Sequence, residues 1–221
     1  NGNGLIDTSR DVDGDNRNGE SELANSSFFD TDNDFRVPEF MHFAGRLLKP
    51  EPKERGRAGC MVVFCAFDQQ MMLIEEARKH GFANYINLVF RKNFSAQVLK
   101  ANMRIVGNAE YGVILYRDKL PMFNNRGRMV FNVMDWTREL GAPKVHPTQK
   151  PIPLLEQLID LFTEPGDVVI DPVAGSGSTL VAAANLERRA IGFEIKKPFV
   201  AAFEEKMRPA ITQGLPIWDA L

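Results

Sequence analysis

The residues best spaced for chemistry lie in GDVVIDPVAGSGST (166–179). Asp171 ends an apolar run suited to a buried strand, and a glycine loop leads from it into an apolar helix. Ligands of doubly wound sheets sit at such carboxyl ends of strands. Gly175 and Gly177 let the backbone approach a ligand with no Cβ in the way. Glu194 closes the next apolar run, AIGFEI (190–195), where a carboxylate can accept two hydrogen bonds from ribose hydroxyls. The spacing indicates a nucleoside-containing cofactor; a tight strand-to-helix turn without a ligand is the plainer alternative. A dinucleotide loop fits less well, because its third glycine position is Leu180, and the lysine of a phosphate-gripping loop is missing.

A second candidate is HPTQKP (146–151), directly before IPLLEQLIDLF (152–162). A helix entrance exposes unpaired N–H groups and partial positive charge, so polar residues there can hold an anion. Lys150 adds a charge for a carboxylate, and Pro151 begins the helix without wasting an N–H. Alone, the hexapeptide is also simply a good helix start, and His146 reads as a structural hydrogen-bonder. Nothing near it suggests a metal site.

The surrounding elements must position these groups. RVPEFMHFAGRLLKP is apolar at helical spacing, CMVVFCA (60–66) suits a strand buried on both faces, and QQMMLIEEARKHGF is an amphipathic helix ended by Gly81. YINLVF (85–90) and YGVILY (111–116) are further strands, and 117–150 has no sustained period. There follow a helix over 152–162, a strand at 167–171, a helix from Ser178 to Glu187, a strand at 190–195 and a helix around 198–207. Strands alternating with helices predict a mostly parallel sheet covered on both faces, a three-layer α/β, Rossmann-like architecture. Cys60 and Cys65 fall on opposite faces of their strand and are expected to be reduced core residues. Residues 1–35 read as an acidic loop and 36–221 as one domain.

These blocks, HPTQKP with LLEQLI, GDVVIDPVAGSGSTLVAA and RRAIGFEI, resemble in order and spacing the S-adenosylmethionine-dependent DNA amino-methyltransferases whose catalytic half precedes the cofactor half. The resemblance covers 145–207 strongly and 36–120 more loosely, through LVFRKN and YGVILYRDK. It implies S-adenosylmethionine as cofactor and double-stranded DNA as substrate, methylated on adenine N6, with cytosine N4 as the alternative. By the same resemblance Thr148, Gln149 and Lys150 reach the methionine carboxylate. Asp171 and the loop Val173, Ala174, Gly175, Ser176 and Gly177 cradle the amino-acid end, and Glu194 holds the ribose. A cofactor-binding inactive partner subunit is the rival of another class, and a nicotinamide dehydrogenase the outsider. A restriction–modification setting, a cytoplasmic location and a homodimer are further expectations.

Two departures stand out. Val173 occupies a position where the family usually has an aromatic residue. The 221 residues contain no Asp-Pro-Pro-Tyr or Asn/Ser-Pro-Pro-aromatic tetrapeptide, the motif that in the family binds the flipped base. The catalytic residues therefore stay unassigned. The strand leading into that motif would lie between 167–171 and 60–66, so an amino-terminal truncation is expected.

The formal net charge of −2 hides an asymmetry. Residues 1–35 carry nine acids against Arg10 and Arg17, whereas 91–150 carry eleven Lys/Arg against four acids. Such a surplus suits a phosphate backbone, with Arg126 and Arg128 as candidate contacts, and equally a solvated basic face. Asp11, Asp13, Asp15 and Glu22 take positions 1, 3, 5 and 12 of a calcium loop, but Asn16 replaces its glycine and no paired helices flank it. A solvated acidic loop is the preferred reading.

Overall fold

The structure, a computed structural model, describes residues 35–93, 97–100, 105–137, 143, 145, 146 and 148–211. The calcium-loop candidate lies outside the described residues. Helix α1 (Val37–Leu47) turns Met41 and Ala44 inward. Strand β1 (Met61–Cys65) passes through a short 3-10 turn into α2 (Gln70–Lys79), which buries Leu73, Ile74 and Ala77. Strands β2 (Asn84–Lys92) and β5 (Ala109–Tyr116) flank a hairpin of β3 (Gln97–Lys100) and β4 (Ile105–Gly107). Then come β6 (Val133–Trp136), α3 (Ile152–Phe162), β7 (Val168–Asp171), α4 (Ser178–Asn185), β8 (Arg189–Gly192) and α5 (Lys197–Ala202).

The larger sheet has the order β1-β5-β2-β6. β5 runs antiparallel to both neighbours, β2 pairs parallel with β6, and β7 pairs parallel with β8. The pairing is therefore mixed rather than mostly parallel. The chain goes from β2 to β5 through a hairpin instead of a helix, and without a helical crossover the returning strand lies antiparallel. The final helix is also shorter than its apolar pattern suggests, because α5 widens into a π-turn over Phe203–Met207.

Strand alternation sends alternate side chains to two helical layers. Met61, Val63, Val113 and Leu115 pack with Met41, Leu73, Ala77 and Phe82 on the α1/α2 face. Val62, Leu88, Phe90 and Ile114 pack with Leu154, Leu158 and Leu161 of α3 on the other. Cys60 joins the α3 side and Cys65 the α1/α2 side, both as free thiols, as their spacing requires. Gly112 leaves room for Phe90, whose ring would stand 3.0 Å from an added Cβ. Fully burying a side chain of this size contributes about 1.5–3 kcal/mol. Arg188, almost fully buried, donates to Thr163 Oγ1 and to the carbonyls of Thr163 and Leu186, closing the carboxyl end of α3.

β1 and β7 rest on α3 through Phe64 and Val169. Their amino ends are tied together by Arg57–Glu164 at 3.0 Å and Lys49–Asp167 at 3.3 Å, so they point the same way. Among the described residues no strand stands between them, and every residue of both is only half-buried.

Candidate functional site

β7 delivers Asp171 to the carboxyl edge of its sheet, and the backbone then folds tightly. Val173 N donates to Asp171 Oδ1 at 3.1 Å, Ala174 N to the Phe193 carbonyl at 2.9 Å, and Gly177 N to the Ala174 carbonyl at 2.8 Å. Gly175 and Gly177 both have positive φ, 52° and 72°, a conformation that favours glycine. They differ in surroundings. A Cβ on Gly177 would stand 2.2 Å from the Phe203 ring, whereas one on Gly175 would meet nothing closer than the His146 ring at 3.7 Å. Gly177 thus packs the turn against the π-turn, and Gly175 keeps an open concavity. Ser176 and Ser178, both buried, bond each other at 2.8 Å beneath the loop.

Glu194 faces the same concavity. Its Oε2 accepts the Gly175 N–H and its Oε1 the Lys196 N–H, both at 2.8 Å. Each carboxylate oxygen has a second lone pair, so both can still accept from a diol. Burial, with a smaller contribution from the Glu194 charge, pushes Asp171 above the usual carboxylate range, although bonds from Thr179 and Val173 oppose this. A cationic group placed beside Asp171 would relieve that penalty. Val173 and Ile195 are exposed at 61% and 81%, leaving apolar side chains on either side of the acids. Ile195 was absent from the sequence-derived set. Alternation past Glu194 is the signal that marks it.

The structure divides the 146–151 segment. The His146 ring packs 4.4 Å from Phe199 and borders Gly175, while Thr148 bonds His146 Nδ1 through both its N–H and its hydroxyl. These two residues meet the glycine loop. Gln149 instead spends its side chain on the preceding backbone, accepting from Val145 N at 3.0 Å and donating to the Pro143 carbonyl at 2.9 Å. The Lys150 ammonium lies over Phe64 and Trp136, 5.3 Å from each ring, in a group with Lys92 and Glu110, which pair at 2.6 Å. Burial is the main cause holding Lys150 below its ordinary pKa, and Lys92 adds to it. Contacts spanning so much sequence leave no local signal.

Arg126 and Arg128 are not brought to this edge. Arg126 pairs with Asp160 at 3.2 Å, and Asn124 bonds the Leu161, Asp160 and Thr163 carbonyls at the far end of α3, beside the start of β7. No cluster of three or more His, Cys, Asp or Glu suited to a metal occurs among the described residues.

Residues 121–205 match the family model described as DNA methylase. The protein named "Putative methylase YubD" of Escherichia coli is 31% identical over 157 residues, 70% of this chain and 65% of that protein. The DNA adenine methyltransferase YhdJ of Escherichia coli is 31% identical over 137 residues, 61% of this chain and 42% of the relative. The chain thus spans less than two thirds of the length of either of these two proteins. The crystal structure of the M1.HpyAVI–SAM complex superposes with a TM-score of 0.65 at 26% identity, over 80% of this chain and 84% of that one. The Rossmann-like methyltransferase fold is shared.

Proposed function

We propose that the chain binds S-adenosylmethionine at the carboxyl edge of β7–β8 and serves methyl transfer to an amino group in double-stranded DNA, adenine N6 in the first reading. The observation that carries the cofactor is the joining of Asp171, the open Gly175 turn and Glu194 around one concavity. The donor set fits the group. Glu194 offers two acceptors to ribose hydroxyls, the raised Asp171 suits an ammonium, and Thr148, held to His146 beside the glycine loop, is the candidate for the methionine end. Val173 and Ile195 give apolar surface for the base of the nucleoside. When bound, the cofactor supplies an electrophilic methyl group on a sulfonium. The chain's own part is to orient it and to exclude water from it. The adenine reading is supported by the likeness to YhdJ. Cytosine N4 is the second reading, because the chain lacks the tetrapeptide that would fix the base. Nucleoside mass spectrometry of methylated DNA separates the two.

The cofactor reading is tested by calorimetry with S-adenosylmethionine and its demethylated product. The chain should bind either, and Glu194→Ala should weaken binding about ten- to a hundredfold, the equivalent of roughly 1.5–3 kcal/mol for hydrogen bonds to a charged group. Absence of binding, or equal affinity in the variant, overturns the assignment.

A further inference from the structure

The aromatic side chains around the end of β1 divide into two environments. Phe64, inside the strand, stacks on the buried Phe90 with ring centroids 4.8 Å apart. Phe67 has left the sheet: it begins the 3-10 turn Phe67–Gln69 and is 70% exposed. A single exposed phenylalanine is ordinary on a protein surface. This one has company, because its ring leans on Tyr111 with centroids 5.3 Å apart and planes at 56°, and Met71, in the first turn of α2, is also exposed.

Register fixes where the pair stands. Tyr111 is the partner of Cys65 across β1 and β5, so both aromatic residues lie at the carboxyl end of β1. Since β1 and β7 point the same way, this is the edge to which β7 delivers Asp171. Phe67 and the glycine loop therefore stand on the two sides of one interval, where a methyl acceptor has to lie to meet a cofactor held by the loop.

The turn is held in place. Gln69 N donates to the Ala66 carbonyl and Ala66 N to Gln69 Oε1, both at 3.1 Å. A ring presented this way loses little entropy when it is covered. The charges nearby select the occupant. Glu110, the neighbour of Tyr111 in sequence, pairs with Lys92 at 2.6 Å, and Lys150 brings a second ammonium to the same group, two cations against one carboxylate. An exposed ring beside a cationic surplus is the combination that holds unpaired nucleotides, base on the ring and backbone on the cations. Asp68, exposed in the same turn, repels phosphate but can accept from a base amino group, so the ring takes the base.

We propose that Phe67, backed by Tyr111, is a stacking platform for a nucleobase that has left the DNA helix. A base drawn out of a duplex loses its stacking neighbours, and a fixed aromatic face replaces part of that loss. The inference rests on the reading of the chain as a DNA methyltransferase and adds to it a base contact made by the chain's own ring.

The test uses the 221-residue chain and single-stranded oligodeoxynucleotides of about 12 residues with a central 2-aminopurine, which need no unpairing and report stacking as quenched fluorescence. The native chain should quench the probe. Phe67→Ala should weaken binding about five- to a hundredfold and abolish quenching, and Phe67→Trp should preserve both. Phe67→Leu, which keeps apolar surface without a π face, should behave like the alanine variant. Because the ring is exposed, all three variants should melt as the native chain does. A fully abasic strand of equal length should bind the native and alanine chains alike. A native chain that leaves the probe unquenched, or a leucine variant equal to the tryptophan one, overturns the proposal. Calorimetry with S-adenosylmethionine separates it from the cofactor reading. Phe67→Ala should bind cofactor as the native chain does, and loss of binding there would assign the ring to the cofactor and overturn the platform. Quenching by a native chain that binds no cofactor would sustain the platform as a nucleobase site while the methyl-transfer reading fell.

Discussion

Gly175 and Gly177 are two residues apart, share a left-handed backbone and should nevertheless fail differently when each is changed to alanine. At Gly177 the new Cβ would lie 2.2, 2.6 and 3.0 Å from Cδ2, Cε2 and Cγ of Phe203. That ring is buried with Leu155, Val181 and Met207, so it cannot step aside without opening a void. Overpacking of this kind costs about 1–3 kcal/mol, and a left-handed alanine adds about 1–2 kcal/mol. The sum, roughly 2–5 kcal/mol, is a large part of a domain's usual stability and should lower Tm by on the order of 10 °C. At Gly175 only the backbone cost applies, because the nearest atom to the new Cβ is His146 Cδ2 at ordinary contact distance, 3.7 Å. Its Tm should fall by only a few degrees, about what 1–2 kcal/mol implies for this length. The methyl group would instead fill the concavity between Glu194 and His146, and affinity for S-adenosylmethionine should drop tenfold or more. Thermal melts of both variants, with calorimetry on the one that stays folded, check this. Unchanged cofactor affinity in Gly175→Ala would mean that the turn needs its glycine for geometry alone, and the reading of the concavity as a cofactor cradle would fall.

Three more outcomes are expected. Asp171 has a folded pKa raised above its unfolded value, so its ionisation opposes folding: the penalty is absent below the ordinary carboxylate range and develops as pH rises through the folded pKa. Asp171→Asn should therefore raise Tm near neutral pH and remove that pH dependence, and equal pH profiles for the two proteins would show that the carboxylate is not desolvated. Burial pushes Cys60 to about 12 and Cys65 to about 11, so neither thiol should react appreciably with a disulfide reagent near neutral pH until the chain is unfolded, and rapid labelling of the native chain would contradict their placement. The 221 residues alone should bind cofactor yet transfer no methyl group to unmodified DNA above background, because they hold no Pro-Pro-aromatic tetrapeptide to localise the amine lone pair; robust transfer of labelled methyl would place the active site elsewhere.

What could be read in the sequence was what depends on neighbours along the chain. The glycine loop, Asp171 and Glu194 lie within one strand–helix–strand unit, and the structure joins them with a 2.8 Å bond from Gly175 N to Glu194. The alternation of β1 correctly put Cys60 and Cys65 on opposite faces. What escaped depends on pairing at a distance. β6 is only four residues long and gains its place from β2, more than forty residues away, through Val89↔Val133 and Phe90↔Met134. Lys150 illustrates the same limit within the site. Its position in HPTQKP suggests a carboxylate partner, but the rings of Phe64 and Trp136 come from β1 and β6, and only the assembled sheet sets them beside its ammonium. The sheet also explains why that position matters. Phe64 belongs to β1, whose outer edge has no strand partner among the described residues, and Lys92 and Trp136, at the carboxyl ends of the parallel β2 and β6, gather there with Glu110 at the amino end of the antiparallel β5. The lysine therefore borders the open interval between β1 and β7, with the glycine loop at the β7 side of it. A charge held there is lowered in basicity by burial, and its aromatic cradle fixes it in place before any ligand arrives.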